Sequence, residues 1–304
     1  MKRIAAIIVF AAVCLSASAQ GTALDFIRAD RNPATLGLAG AGYASLSTGT
    51  AFSAFGNPAL VPLSEHSYDF AGAFGLNPSG ESNATVFGGG ASARFGSFGV
   101  SAAYLGSQYP DIALSSEGGG ASGHFAPKDM MIGLGLSFAI GDNLSFGAVG
   151  RYATQALDAK TTLSSISADI LALYRLDALS VTAGVVALGP KVASVSNRSY
   201  PLPTSAKLAA AYKLEFGDFG ADIMADADYY FSGNLGLAAG VQANYKNMAF
   251  LRTGYRYSGF KEDFVAAPVP SMFTVGAGVK LFGVTLDAAY VVGGPFMAGL
   301  GFRF

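Results

Sequence analysis

The chain carries little charge and almost no cysteine. Asp, Glu, Lys and Arg make up 13% of the 304 residues, about half the ~25% usual in soluble domains. The formal net charge is −1, so no basic surface is available for nucleic acid. Low charge together with 23 Phe and 14 Tyr also excludes intrinsic disorder. Tryptophan is absent, and there are two histidines, His66 and His124. They form no pair at metal-ligand spacing, and no Gly-x-Ser-x-Gly elbow occurs. Without a nucleophile–base constellation the chain reads as a non-enzyme, with no cofactor or metal. Missing too is any uncharged apolar run of the ~18 residues that a membrane helix needs, although 51% of the chain is hydrophobic.

The one concentrated apolar stretch is short. Ile4 to Leu15 follows Lys2 and Arg3 and precedes Ala17-Ser18-Ala19. That order of basic, apolar and small residues predicts an export leader over 1–19, cut between Ala19 and Gln20. The single cysteine, Cys14, lies inside the leader, behind Val13 rather than the small residue of a lipoprotein site. Disulfides and Cys-ligated metals are thereby excluded from the expected exported chain.

What is present is alternation. Phe296, Ala298, Leu300, Phe302 and Phe304 share one parity; Met297, Gly299, Gly301 and Arg303 share the other. A period of two means a strand with one apolar face. Fourteen such segments follow residue 65: roughly 66–76, 82–95, 97–106, 129–140, 144–155, 162–174, 178–189, 205–215, 218–227, 235–245, 248–257, 271–281, 282–292 and 295–304. Most are as long as the ~9–11 residues with which a tilted strand crosses a bilayer. Tight turns such as Gly96-Ser97, Gly141-Asp142-Asn143 and Lys246-Asn247 alternate with longer loops at 107–128, 189–204 and 258–270. That is the pattern of an outer-membrane barrel with short periplasmic turns and long external loops. The long loops follow odd-numbered strands, which predicts that both chain ends are periplasmic.

The charges keep the same parity rule. Arg94, Arg151, Asp169, Asp222, Asp226, Arg252, Arg256, Lys280, Asp287 and Arg303 fall on the inward face. Facing lipid near the midplane, each would cost about 2–4 kcal/mol. Asp222, Asp226 and the nearby Asp228 read as a solvated lumen wall rather than a cation site. Gly133, Gly135, Gly147, Gly236, Gly240, Gly276 and Gly278 also point inward, opening space in the lumen or making room for a plug. Phe304 supplies the terminal aromatic usual for outer-membrane barrels.

Residues 20–64 do not alternate. From Pro33 to Leu63 they are small, apolar and glycine-rich, with a turn signal at Asn57-Pro58. A linker would be more polar, so the stretch is expected as a compact plug in the periplasmic mouth. The organisation is therefore a leader (1–19), a plug or hatch (20–64) and an all-β, transmembrane antiparallel barrel of about fourteen strands (65–304), surrounded by outer-membrane lipid in a Gram-negative cell. Gly37 to Gly42 lacks the preceding strand and following Lys-Ser/Thr of a phosphate loop.

Phe26-Ile27-Arg28, Gly37-x-x-Gly40-x-Gly42 and Asn57-Pro58-Ala59-Leu60 ahead of a barrel resemble the PorV/PorQ family, part of the FadL-like group of fourteen-stranded barrels. Further along, Gly123 to Asp129, Asn143 to Phe146 with Gly150-Arg151-Tyr152, Ile166 to Ile170, Leu188 to Val192, Pro201 to Thr204 and Leu251 to Tyr255 lean toward the PorV side of that family. The resemblance implies a part in type IX secretion of Bacteroidota: a non-enzymatic barrel that receives secreted cargo proteins by their C-terminal domain and passes them to an attachment complex. Its family motif residues here are Gly37, Gly40, Gly42, Asn57, Pro58 and Ala59. The chain departs from the pattern in its shorter loops, in Leu38-Ala39-Gly40 for Gly-Met-Gly, and in Gly56 for an aromatic. No cargo contact is carried over. The FadL-like group implies an alternative, transport of hydrophobic small molecules past a movable hatch.

Overall fold

The computed structural model describes residues 22–30, 32–79, 82–115, 121–193, 198–259 and 271–304. The expected leader, with its Ala19–Gln20 cleavage point, lies outside the described residues. Fourteen strands form one closed antiparallel barrel. In chain order they are β1 (Tyr68–Ser79), β2 (Ser82–Phe95), β3 (Phe98–Gln108), β4 (Lys128–Ile140), β5 (Leu144–Ala156), β6 (Thr162–Leu176) and β7 (Leu179–Leu188). The second half comprises β8 (Ser205–Phe216), β9 (Phe219–Tyr230), β10 (Asn234–Tyr245), β11 (Ala249–Ser258), β12 (Met272–Leu281), β13 (Val284–Val291) and β14 (Phe296–Arg303). Each pairs with its sequence neighbours. β14 closes on β1 with Asp69 opposite Arg303 and Leu76 opposite Phe296. Closure removes every edge, the condition for a sheet to sit in hydrocarbon.

The period of two sets the two faces. In β4, Leu134 and Leu136 are 66% and 69% exposed on the outside, while Met131 and Ala139 are buried within. The long connections follow β3, β7 and β11; those after β5, β9 and β13 span only 157–161, 231–233 and 292–295. Short hairpins lie in two of the long loops, Ile112–Ser115 with Ala121–Phe125 and Val192–Ala193 with Ser199–Tyr200. We call this end the loop rim and the other the short-turn rim.

The N-terminal segment is not confined to the short-turn mouth, as the sequence led us to expect. Its first described residues sit at the loop rim, where the Ala23 amide donates to the Pro201 carbonyl at 2.9 Å. Phe26 and Ile27 bury with Leu202 and Val192. A single-turn helix α1 (Pro33–Leu36) then packs on β12–β14, and a 3-10 turn (Pro58–Leu63) packs on β2–β6. The segment thus crosses the lumen from one rim to the other. The physical reason is volume: fourteen strands enclose more space than their inward side chains fill. Those side chains are often Gly, Ala or Ser along the whole height of the wall. The first described residues therefore lie at the loop rim, while β1 begins and β14 ends together at the short-turn rim.

Candidate functional site

The candidate site is the lumen, where wall side chains grip the backbone of the N-terminal segment. Asn32 begins α1 as its N-cap, its Oδ1 accepting from the Ala34 amide at 3.0 Å. The glycine-rich patch follows on the β9–β12 wall. A Cβ at Gly37 would stand 3.1 Å from the Gly276 Cα, and Thr274 Oγ1 donates to the Gly37 carbonyl at 3.0 Å. Gly40 has φ +80° and faces the Arg256 guanidinium, whose Nε donates to the Ala39 carbonyl at 2.9 Å. Gly42 has φ +131°, a region that side-chain-bearing residues rarely adopt. There the Asp226 carboxylate accepts from the Gly42 and Tyr43 amides at 3.1 and 3.3 Å.

Asn57 joins the two halves of the segment to the wall. Its Oδ1 accepts from the Ala59 amide at 3.0 Å and caps the 3-10 turn. Its Nδ2 donates to the Tyr43 carbonyl at 2.6 Å and to Thr182 Oγ1 at 3.0 Å. Pro58 lies over Gly135 and Gly147 of β4 and β5. Ala59 is fully buried, and its carbonyl accepts from Ser145 Oγ. A side chain at Gly147 would strike the Pro58 ring, which gives that inward glycine its reason.

Inside the lumen most charges are paired. Arg151 donates to Asp169 and, through Nε, to the Ala54 carbonyl at 3.2 Å. Asp169 also accepts from the Ala187 amide at 2.8 Å, where the β6–β7 register slips and Ala187 takes φ +55°. Asp222, Gln242, Arg252 and Asp287 form a chain of bonds at 3.0, 2.6 and 2.5 Å. Lys207 Nζ lies 2.8 Å from Asp228 and 4.0 Å from Asp226. Arg303 meets Asp69 at 3.4 Å and donates to the Thr48 carbonyl at 3.1 Å. Arg94 is half-buried at the short-turn rim and its Nε has no hydrogen-bond partner among the described residues. The acidic residues expected to line a solvated wall are instead buried and bonded, because the segment replaces the water. Among the described residues no three metal-ligating side chains gather.

The sequence reading missed Lys207 as a lumen charge. It shares the inward parity of Ala209 and Ala211 against Leu208, so the same rule would have found it. It also missed Tyr43, whose ring lies 3.9 Å from Lys207 Nζ and whose hydroxyl donates to the Phe55 carbonyl at 3.3 Å. Tyr43 lies in the aperiodic stretch, so no signal marked it. Of the two histidines, His124 is exposed in the hairpin after β3. His66 sits at the short-turn rim, its Nε2 3.1 Å from Lys280 Nζ. Burial first, then Lys280 and Arg303, lower the His66 pKa. Phe304 stands at the same rim, exposed, with the Tyr68 and Phe70 rings 5.8 and 6.0 Å away.

Between segment and wall a cavity of about 100 Å³ remains. Phe52, Leu60 and Val186 line it with Arg28, Lys207 and Arg256. Its lining combines apolar and cationic side chains.

A closed fourteen-stranded barrel with an N-terminal segment through its lumen is the FadL-like barrel fold. Solved structures that share this fold include hydrocarbon channels and transporters. The toluene transporter TodX of Pseudomonas putida is 13% identical with a TM-score of 0.58, over 90% of this chain and 97% of that one. The CymD monoaromatic hydrocarbon channel is 13% identical at 0.59, over 90% and 97%. A Pseudomonas aeruginosa FadL homologue is 13% identical at 0.51, over 95% and 97%. At these identities the likeness is one of fold. No protein-family model matches the chain, and no curated protein matches it in sequence.

Proposed function

We propose that this protein is an outer-membrane channel for hydrophobic small molecules, held closed by its N-terminal hatch. The observation that carries the reading is the hatch itself. It fills the lumen from rim to rim, is fastened to the wall mostly by single hydrogen bonds to its backbone, and leaves an internal cavity with apolar and cationic lining. A cluster of such bonds holds a segment in place yet lets it shift piecewise, since each contributes only about 0.5–3 kcal/mol. The like-folded TodX and CymD are described as a toluene transporter and a monoaromatic hydrocarbon channel, which supports the same substrate class here. The apolar outer wall fits contact with membrane lipid. No chemistry on the substrate is part of this reading.

The PorV/PorQ resemblance carries a different implication, a role with cargo proteins and other type IX secretion components. It rests on the short motifs alone, and the geometry of those motifs is that of a hatch docked on a wall. The test is uptake of labelled toluene by cells lacking or producing the protein. Faster uptake with the protein is expected. Equal uptake, with secreted proteins co-purifying on the barrel, would move the reading to secretion.

A further inference from the structure

Four cationic side chains of the described residues border the cavity between hatch and wall: Arg28, Arg151, Lys207 and Arg256. Three of them have a carboxylate. Arg28 lies 3.3 Å from Asp25, Arg151 donates to Asp169, and Lys207 lies 2.8 Å from Asp228. Arg256 has none within ion-pair distance among the described residues. It is only 8% exposed, its Nε donates to the Ala39 carbonyl, and its two Nη groups bond to no described residue. Leaving such donors unmet in a buried site is costly. Ser53, on the same cavity, is also buried, and its hydroxyl has no partner among the described residues.

The balance of charge decides what completes the site. Arg28, Arg151, Lys207 and Arg256 are matched in number by Asp25, Asp169, Asp226 and Asp228. Asp30, which also lines the cavity, only adds negative charge. An entering carboxylate would be surplus charge in a buried site, which is expensive. A neutral acceptor carries no such cost. A carbonyl oxygen has two in-plane lone pairs, which suit the two Nη groups of a planar guanidinium. Ile27, Phe52, Leu60 and Val186 offer apolar surface to the rest of the ligand. The volume is about 100 Å³. At ~10–15 Å³ for each water-sized occupant, that is fewer than about ten heavy atoms, too few for a long acyl chain.

We propose that this cavity takes a small, neutral, apolar molecule with one carbonyl oxygen, which accepts from the Arg256 Nη groups. The proposal rests on the channel reading and narrows its substrate class. The test is equilibrium dialysis of the full barrel in lipid nanodiscs, with empty nanodiscs as the blank, against labelled acetophenone, ethylbenzene and benzoate. Acetophenone and ethylbenzene share a ring and a two-carbon arm and differ by the oxygen. Acetophenone is expected to bind about tenfold tighter than ethylbenzene, since hydrogen bonds to charged donors are among the stronger ones. Benzoate should bind more weakly than acetophenone. In Arg256→Met the ratio of acetophenone to ethylbenzene affinity should fall to about one. Arg256→Lys, whose ammonium can still serve the Ala39 carbonyl, replaces it should the urea midpoint show that Met loosens the barrel; a reduced ratio is expected there too. Equal affinity of the parent for acetophenone and ethylbenzene overturns the proposal, leaving the guanidinium to water and the channel reading intact. Tightest binding by benzoate overturns it in favour of an anion site, and a ratio that survives both variants overturns the role of Arg256. Failure of all three probes to bind overturns the channel reading with it.

Discussion

At the residue scale, Asn57 shows how one amide holds a buried segment. It satisfies the Ala59 amide, the Tyr43 carbonyl and Thr182 at once. Asn57→Ala removes the cap and leaves the buried Ala59 amide without its acceptor, and a buried unsatisfied group costs about 1–3 kcal/mol. The urea midpoint in vesicles should fall accordingly, and a midpoint unchanged would place the hold elsewhere. His66 gives a pH prediction. Its Nε2 accepts from Lys280, so the neutral ring is the folded form, and its pKa is lowered. The unfolded chain then binds the proton first. His66 contributes stability that is full above the unfolded pKa of ~6.5 and is lost as pH falls below it. His66→Gln should flatten the fall in stability between pH 7 and 5, measured as the unfolding midpoint against pH.

At the element scale, the strands were legible and the path of the hatch was not. A strand announces itself within ten residues, because inside and outside alternate with period two. Parity alone therefore placed Arg151, Asp226 and Arg252 on the inward face. It could not name their partners, which lie 184 residues apart for Asp226 and Gly42. Nor could it show that Gly147 is small because Pro58 lies over it. The stretch 33–63 has no period, and its path is dictated by the space the wall leaves. The hatch makes its own prediction. Gly40→Val forces a β-branched side chain to φ +80° against the Arg256 guanidinium. It should lift residues 39–43 from the wall and produce ion conductance in planar bilayers where the parent shows little. A variant that stays closed would mean that other contacts hold the patch.

At the scale of the whole molecule, the two rims differ in what they present. The short-turn rim carries the C-terminus, and the loop rim carries both hairpins and the start of the described chain. With the loop rim outward, Asp158→Cys should react with an impermeant maleimide on intact cells. Asn247→Cys should react only after the cells are opened; the reverse pattern would invert the barrel. The central claim is that the hatch controls passage of hydrophobic molecules. Thr50 of the hatch and Ser92 of the wall have hydroxyls 2.8 Å apart, close enough for Thr50→Cys and Ser92→Cys to join as a disulfide. The decisive measurement is toluene uptake by cells producing that double variant, oxidised and then reduced. The account predicts uptake that is blocked on oxidation and restored by reductant. Uptake that is equal in both states, and equal to that of cells without the protein, would contradict it.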